Sequence, residues 1–216
     1  MKRLADEDTR RAIADAIEVI EQQTRAEVVA VLAPASATYG EYALLWSAGI
    51  ALLSTTLAPY AMPPITPLIA PLIAPMHLLP LIGPTLFLVL MLAFRQPVVL
   101  RHLVPRQVLR QHAAAMARVQ FLTQQLHHTR EETGLLLFVS EFEHYVEILA
   151  DRGIARQVPD QAWQELVATF TQHLAKKEIR DGFVETITGC GRLLAERLPA
   201  DNHNPNELPN RLVVLP

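Results

Sequence analysis

The chain has 216 residues, of which 19 are Lys or Arg and 22 are Asp or Glu, giving a formal net charge of −3. This balance argues against a nucleic-acid partner, which requires a basic surface. The chain has a single cysteine, which excludes an intrachain disulfide framework and is typical of a reducing compartment.

The first 41 residues predict one helix and one strand. Within Leu4–Thr24, isoleucines recur at helical spacing at positions 13, 17 and 20, as in an amphipathic helix that covers a core. The β-branched run Glu27–Leu32 is stopped by Pro34 and favours a buried strand.

One long segment lacks charge altogether. Between Tyr42 and Phe94 there is no Asp, Glu, Lys or Arg. About 20 consecutive apolar residues cross a bilayer as a helix, so the segment is long enough for two crossings. Residues 42–94 therefore predict a two-helix transmembrane hairpin, with spans at 43–62 and 76–94.

Prolines divide this hairpin. Residues 63–75 contain a tandem Pro-Leu-Ile-Ala repeat that begins at Pro67 and again at Pro71. Proline at every fourth position removes backbone hydrogen bonds that lipid cannot replace. We therefore predict a proline-rich turn at the far membrane surface, exposed or re-entrant, with a continuous helix from Leu68 as the alternative.

The basic residues nearest to the hairpin set its orientation. They follow it directly and are Arg95, Arg101, Arg106 and Arg110. Since the predicted turn has no Lys or Arg, the positive-inside rule predicts a multi-pass protein of the bacterial inner membrane with both termini in the cytoplasm. The same arginines are candidates for contact with anionic lipid head groups; the alternative is that they only set the topology.

The sequence after the hairpin predicts a helix, a strand pair and two further helices. The first helix begins at Pro105, ends near His128 and carries an apolar stripe at Val108, Ala115, Val119, Leu122 and Leu126. The continuous apolar run Leu135–Ser140 and the segment Tyr145–Ala150 predict the two strands of a β-hairpin. Helices follow from Pro159-Asp160 and over Glu178–Leu198, the latter with Cys190 between two glycines that predict a close helix contact.

The order helix, strand, helix, strand, strand, helix, helix predicts a small three-layer α/β domain. Its sheet combines a parallel strand pair with a β-hairpin and has helices on both faces. Residues 1–41 and 95–198 form this one domain, the hairpin 42–94 interrupts it, and 199–216 form a Pro/Asn-rich tail.

Three segments carry a family resemblance: Thr133–Ser140, Tyr145–Ile154, and Val158–Asp160 followed by Trp163. Together they resemble the core signature of the TPM domain, and Ala26–Val31 resembles its first strand. The family includes acid-phosphatase-like proteins and many bacterial membrane proteins, and this chain is similar to the bacterial branch with an internal transmembrane hairpin.

The resemblance implies, for some members, a divalent-cation site or weak phosphatase activity. Asp151 and Asp160 match acidic or turn positions of the pattern, which makes them candidate ligands of Ca²⁺ or Mg²⁺. Ala155 stands where many members have a Glu, so one carboxylate of that pattern is missing. Each aspartate also has a simpler role: Asp151 opens a tight turn and hydrogen-bonds its own backbone, and Asp160 offsets a helix dipole.

No nucleophile elbow, P-loop, zincin motif or Cys-x-x-Cys occurs in the sequence, which favours a protein that is not an enzyme. Two functions remain open. The first is a membrane-anchored accessory module that needs no cofactor, binds an unidentified membrane protein and maintains a membrane complex. The alternative is a weak divalent-cation-dependent phosphatase of TPM type.

Overall fold

The structure is a computed structural model that describes residues 6–61, 79–129, 131–201 and 206–216. The predicted turn at 63–75 and the first residues of the second predicted span lie outside the described residues. The chain divides into two units. The sheet unit comprises Met1–Ala37 and Leu109–Pro216, and the inserted unit comprises Thr38–Val108.

Four strands and eight α-helices are found in the described residues. The strands are β1 (Glu27–Ala33), β2 (Gly134–Ser140), β3 (Tyr145–Ala150) and β4 (Leu212–Val214). The helices are α1 (Glu7–Glu21), α2 (Gly40–Ala61), α3 (Leu79–Phe94), α4 (Pro97–Leu103), α5 (Arg106–Thr123), α6 (Arg152–Ala155), α7 (Asp160–Lys176) and α8 (Ile179–Arg197). A 3₁₀ turn, Leu126–His128, follows α5.

The sheet unit is built on a mixed sheet of strand order β3-β2-β1-β4. Strands β1 and β2 are parallel, with Val29 opposite Leu136, and β2 and β3 form an antiparallel hairpin, with Leu137 opposite Ile148. Every residue of β1 and β2 is buried, because helices cover both faces of a central strand pair. The predicted parallel pair and β-hairpin are confirmed.

The end of the chain supplies a strand where a tail was predicted. Leu212 lies opposite Ala30 in a parallel pairing of β4 with β1, and the Leu215 N–H donates to the Leu32 carbonyl at 3.0 Å. The interpretation of 199–216 as a tail outside the domain is therefore wrong for this part. Three residues are too few to show strand periodicity, and β4 forms because β1 offers it an open edge.

Helices α1, α7 and α8 cover one face of the sheet. Ile17 of α1, Phe170 of α7 and Phe183 of α8 pack in one apolar cluster with Leu137. The two phenylalanine rings meet edge to face with centroids 4.9 Å apart, an arrangement that aromatic pairs prefer.

Helix α5 covers the other face through small residues. Ala113 and Ala117 pack in a second cluster with Phe138, so helices lie on both faces as predicted. The predicted apolar stripe of α5 is wrong in register: Val119 and Leu122 are 53% and 58% exposed. Alanines face the sheet because a short side chain lets the helix backbone approach the strands closely.

Two glycines of α8 mark close helix contacts, as the sequence predicted around Cys190. A Cβ at Gly191 would lie 2.3 Å from Cγ2 and 2.8 Å from Cβ of Ile20 on α1. A Cβ at Gly189 would lie 2.4 Å from Cδ2 of Leu166 on α7. Of these neighbouring atoms, only Cδ2 of Leu166 lies at the far end of a flexible side chain.

The inserted unit contains α2, α3 and α4. Helices α2 and α3 approach closely, since a Cβ at Gly83 would lie 2.9 Å from Cγ2 of Thr55. The indole N–H of Trp46 on α2 donates to the Leu103 carbonyl of α4 at 3.2 Å. Helix α4 was not predicted, because seven residues that begin with a proline are too few to show helical periodicity.

In the described residues, no helix taken singly has the length and apolar character needed to cross a membrane. Leu81–Phe94 and Pro97–Leu103 meet that requirement only as a pair, and they are bent by 100°. The transmembrane hairpin stays a prediction.

The glycine contacts predict unequal effects of two neighbouring substitutions. Gly191→Ala should lower the free energy of unfolding by about 1–3 kcal/mol, because the branched Ile20 cannot move away without backbone shifts. Gly189→Ala should be near neutral, since Leu166 can change rotamer and alanine favours the helix by about 1 kcal/mol. Denaturant unfolding followed by circular dichroism compares them, and equal losses would contradict the packing described.

Candidate functional site

Asp151 occupies a helix cap. Its Oδ1 accepts a hydrogen bond from the Arg152 N–H at 2.8 Å at the start of α6, and its own N–H donates to the Gly134 carbonyl at 2.9 Å. Its Oδ2 is buried, with no hydrogen-bond partner among the described residues. One carboxylate oxygen is thus committed to the backbone turn, the simpler of the two roles considered from sequence.

Asp160 is exposed in the first turn of α7, where a negative charge offsets the helix dipole. It lines a groove beside β3 that does not include Asp151. Across the described parts of the chain, no group of three or more His, Cys, Asp or Glu is placed to hold a metal ion. The residues present there do not fit a divalent-cation site, which needs several converging oxygen ligands.

Three of the four arginines lie on two helices, and the fourth lies between helices. Arg95 is exposed directly after α3, Arg101 is half-buried on α4, and Arg106 and Arg110 are exposed one turn apart on α5. Their contact with lipid head groups stays a prediction.

An acidic cavity of about 430 Å³ lies beside the start of β1 and was missed in the sequence. Glu21 and Glu27 line it, and both are buried. Oε1 of Glu21 accepts from the Val28 N–H at 2.9 Å, and Oε2 of Glu27 accepts from the Leu208 N–H at 3.0 Å. The two carboxyl groups thereby join α1, β1 and the C-terminal segment.

The pKa of Glu21 is raised to about 8, chiefly by burial. The neighbouring Glu27 and Glu18 add to this rise, and hydrogen bonds from the Val28 N–H and Asn210 oppose it. Burial also raises the pKa of Glu27, and the nearby Glu207 adds to the effect. The signal was available: Glu21 lies four residues after Ile17, on the apolar face of α1.

A buried polar cluster closes the carboxyl ends of β1 and β2. The Ser36 hydroxyl donates to the Ser140 hydroxyl at 2.9 Å, the Ser140 hydroxyl donates to Oε2 of Glu143, and the Ser36 N–H donates to Oε1 of Glu143 at 2.8 Å. Ligands of open α/β sheets bind at this edge. Here the polar groups bind one another and tie β1 to the turn between β2 and β3, so we assign them a structural role.

A groove of about 380 Å³ runs between β3 and α7. Its lining is mainly apolar, with Val146 and Ile148 on β3 and Trp163 and Val167 on α7. Glu147 also borders it. The sequence predicted both elements but not the groove, because its width depends on how α7 packs against the strand.

The side chains of β3 that face α5 include an acidic and a phenolic group. Burial raises the pKa of Glu147, while a hydrogen bond with Tyr145 and the charge of Arg118 lower it. Burial and the charge of Glu147 raise the pKa of Tyr145 to about 12. Oε2 of Glu147 is buried and makes no hydrogen bond within the described residues.

The fold and its sites define the class of protein: a three-layer α/β domain that is interrupted by a helical unit. The described residues of this domain contain no complete set of metal ligands. Residues 99–193 match the family model described as the TPM domain. The resemblance to this family that the sequence indicates is confirmed over these residues. The membrane branch stays a prediction.

Comparison with curated proteins found no match. Among solved structures, the chain is similar to the BA42 protein from the psychrophilic bacterium Bizionia argentinensis sp. nov., determined by NMR. The two are 16% identical with a TM-score of 0.58, and the match covers 97% of this chain and 94% of the other. At this identity the likeness shows the fold alone.

Glu21 predicts a pH dependence of stability. Its pKa rises from 4.5 to about 8 on folding, so the folded chain holds a proton that the unfolded chain releases above about pH 4.5. The free energy of unfolding should therefore fall as pH rises through this window, by up to about 1.4 kcal/mol per pH unit. Denaturant unfolding at several pH values should show a flatter profile for Glu21→Gln.

Glu18→Gln is the matched control, since Glu18 lines the same cavity but is exposed. It should keep a slope close to that of the unsubstituted chain, because Glu18 is the smallest of the causes that shift the pKa of Glu21. A Glu21→Gln variant with that same slope would show that Glu21 is not the titrating group.

Proposed function

We propose that this protein is a membrane-anchored TPM-domain module that binds a protein partner and helps maintain a membrane complex without catalysing a reaction. The anchoring is supported by the location of the exposed apolar side chains. Most of the exposed large apolar residues in the described chain belong to the inserted unit: Leu44, Leu45, Trp46, Leu52, Leu53, Leu57, Leu81, Ile82, Leu88, Val89, Leu92, Val98 and Val99.

Such a surface is unfavourable in water, because burial of apolar area is the main favourable term in folding. Lipid removes this cost without requiring a protein to cover the helices. The polar residues of α2 support the same environment: the Thr55 and Thr56 hydroxyls donate to carbonyls of their own helix at 2.9–3.0 Å. A hydroxyl satisfied in this way is tolerated in lipid.

The bend between α3 and α4 supports a membrane interface at this point. Helix α3 contains no charged residue, whereas Arg95 follows it directly and α4 carries Arg101. If α3 crosses the bilayer, the 100° bend lays α4 along the surface, with its arginine near lipid phosphates. We propose that this is the cytoplasmic surface of a bacterial inner membrane and that both termini face the cytoplasm.

The non-catalytic role is supported by the chemistry of the described side chains. Asp151 caps α6, Asp160 is exposed on α7, and the described residues contain no ligand set for Ca²⁺ or Mg²⁺. The alternative, a weak divalent-cation-dependent phosphatase, draws only on the family resemblance. A partner-binding role needs no such site, and the groove beside β3 offers a surface for it.

Arginines on the exposed apolar face of α3 test the anchoring. Leu88→Arg/Leu92→Arg should shift the protein out of the membrane fraction, because each arginine costs up to about 2.5–3.5 kcal/mol near the centre of a membrane helix. The measurement is the share of expressed protein that sediments with carbonate-washed membranes.

Val119→Arg/Leu122→Arg is the control, since these residues of the sheet unit are 53% and 58% exposed, close to the 56% and 59% of Leu88 and Leu92. The control pair should leave sedimentation unchanged. Sedimentation of the α3 pair at the level of the unsubstituted protein would sink the anchoring proposal.

Phosphate release separates the two functions. Purified protein with p-nitrophenyl phosphate and Mg²⁺ or Ca²⁺ should release no more phosphate than a protein-free blank. Asp151→Ala and Asp160→Ala should match the unsubstituted chain. Asp181→Ala serves as the control, since Asp181 is also an acid in a first helical turn. Cation-dependent release that both test variants lose and the control keeps would establish the phosphatase.

A further inference from the structure

We infer that the outer edge of β3, with the groove it forms against α7, binds an extended segment of a partner protein as an additional strand of the sheet. The segment alternates apolar and basic side chains. The inference rests on the proposed partner-binding function and names the surface and the chemistry of the partner.

The backbone of β3 has groups available for pairing on its outer side. Strand β3 ends the sheet order β3-β2-β1-β4, so none of the described strands pairs with its outer edge. The Asp151 N–H donates to the Gly134 carbonyl, and hydrogen-bonded pairs alternate along an antiparallel ladder. By this alternation the backbone of Glu147 faces β2, and the N–H and C=O groups of Val146 and Ile148 face outward.

The groove accommodates side chains of an added strand. Val146 and Ile148 direct their side chains to the α7 face, where they line the groove with Trp163, Val167 and Ala168. Since side chains alternate along a strand, every second residue of an added strand falls into this groove. Backbone pairing combined with pockets for alternate side chains is the recognition mode of strand addition.

Charge determines which segment fits. The ionisable residues that line the groove are Asp160 at its rim and Glu147. Glu147 directs its side chain to the α5 face, where Tyr145 and Arg118 are its neighbours. A basic residue on the same face of the added strand would lie beside Glu147, and cross-strand pairs of opposite charge are favourable.

The same glutamate disfavours a second copy of this chain as the occupant. Antiparallel self-pairing with Val146 opposite Ile148 would place Glu147 opposite its own copy. Like charges directly opposite destabilise a strand pair, and charged residues in edge strands are a common defence against self-association. The structure therefore favours a basic, heterologous segment.

Peptide binding to the full-length chain in nanodiscs tests the inference. The probe is a fluorescein-labelled, capped Thr-Lys-Val-Lys-Val-Lys-Thr peptide, and the readout is fluorescence anisotropy. Saturable binding is expected. A matched peptide N-methylated at alternate residues, on the edge that would pair, should bind at least about fivefold more weakly, as one lost hydrogen bond implies. A peptide with Glu in place of Lys should also bind more weakly.

Two variants locate the site on β3. Ile148→Pro removes an outward N–H that the ladder with β2 does not use, so binding should weaken by about fivefold or more while the circular dichroism spectrum is retained. Glu147→Lys should shift preference toward the Glu peptide, by about threefold or more for a cross-strand charge pair. Glu196→Lys, an exposed charge reversal on α8, should leave binding unchanged.

Absence of binding, equal binding of the N-methylated peptide, or an unchanged preference in Glu147→Lys would each overturn the inference. A dimer that Ile148→Pro dissociates, without peptide binding, would overturn it and assign the edge to a second copy. The membrane-sedimentation assay tests the anchoring separately. If Leu88→Arg/Leu92→Arg sediments like the unsubstituted protein, the anchoring proposal fails and peptide binding is unaffected. If the peptide does not bind, the strand-addition inference fails and the anchoring is unaffected.

Discussion

The parallel pairing of β1 with β2 is the constraint on which the rest of the structure depends. It joins Glu27–Ala33 to Gly134–Ser140 in register over their whole length, although about half of the chain separates them. Parallel strands require a long crossover, and in this chain the crossover holds the entire inserted unit in addition to α5. Both strands are fully buried, so the pairing is stable only when helices cover both faces.

The buried pair β1 and β2 has one open edge on each side, and different segments of the chain cover the two edges. On the β1 side the C-terminal segment returns as β4 and is held near the start of β1 by the bond from the Leu208 N–H to Glu27. On the β2 side the hairpin adds β3, and the described chain ends the sheet there. An edge strand with a charged residue at its centre and an apolar groove beside it suits recognition of another chain better than self-association.

Buried carboxyl groups are the least expected part of this fold. Glu21 and Glu27 lie beside one another in the same cavity, where desolvation disfavours their charged forms. Glu21 avoids most of this cost by holding its proton, since its pKa is about 8. Both carboxyl groups also accept hydrogen bonds from backbone N–H groups, those of Val28 and Leu208. Protonation of Glu21 is therefore expected to affect how the C-terminal segment packs, through the hydrogen bond between Glu21 and Asn210.

The sequence by itself determined strands β1, β2 and β3, the long helices and the family resemblance, because these depend on local periodicity and on a contiguous run such as Leu135–Ser140. It also placed Asp151 in a turn, where it caps α6. Only the tertiary structure decided the rest. Strand β4 forms only beside the edge of β1. The buried face of α5 consists of alanines, where a stripe of Val and Leu was expected. The groove beside β3 has a width that is set by how α7 packs against the strand. Each depends on contacts between residues far apart in the chain, and no local pattern of side chains encodes such contacts.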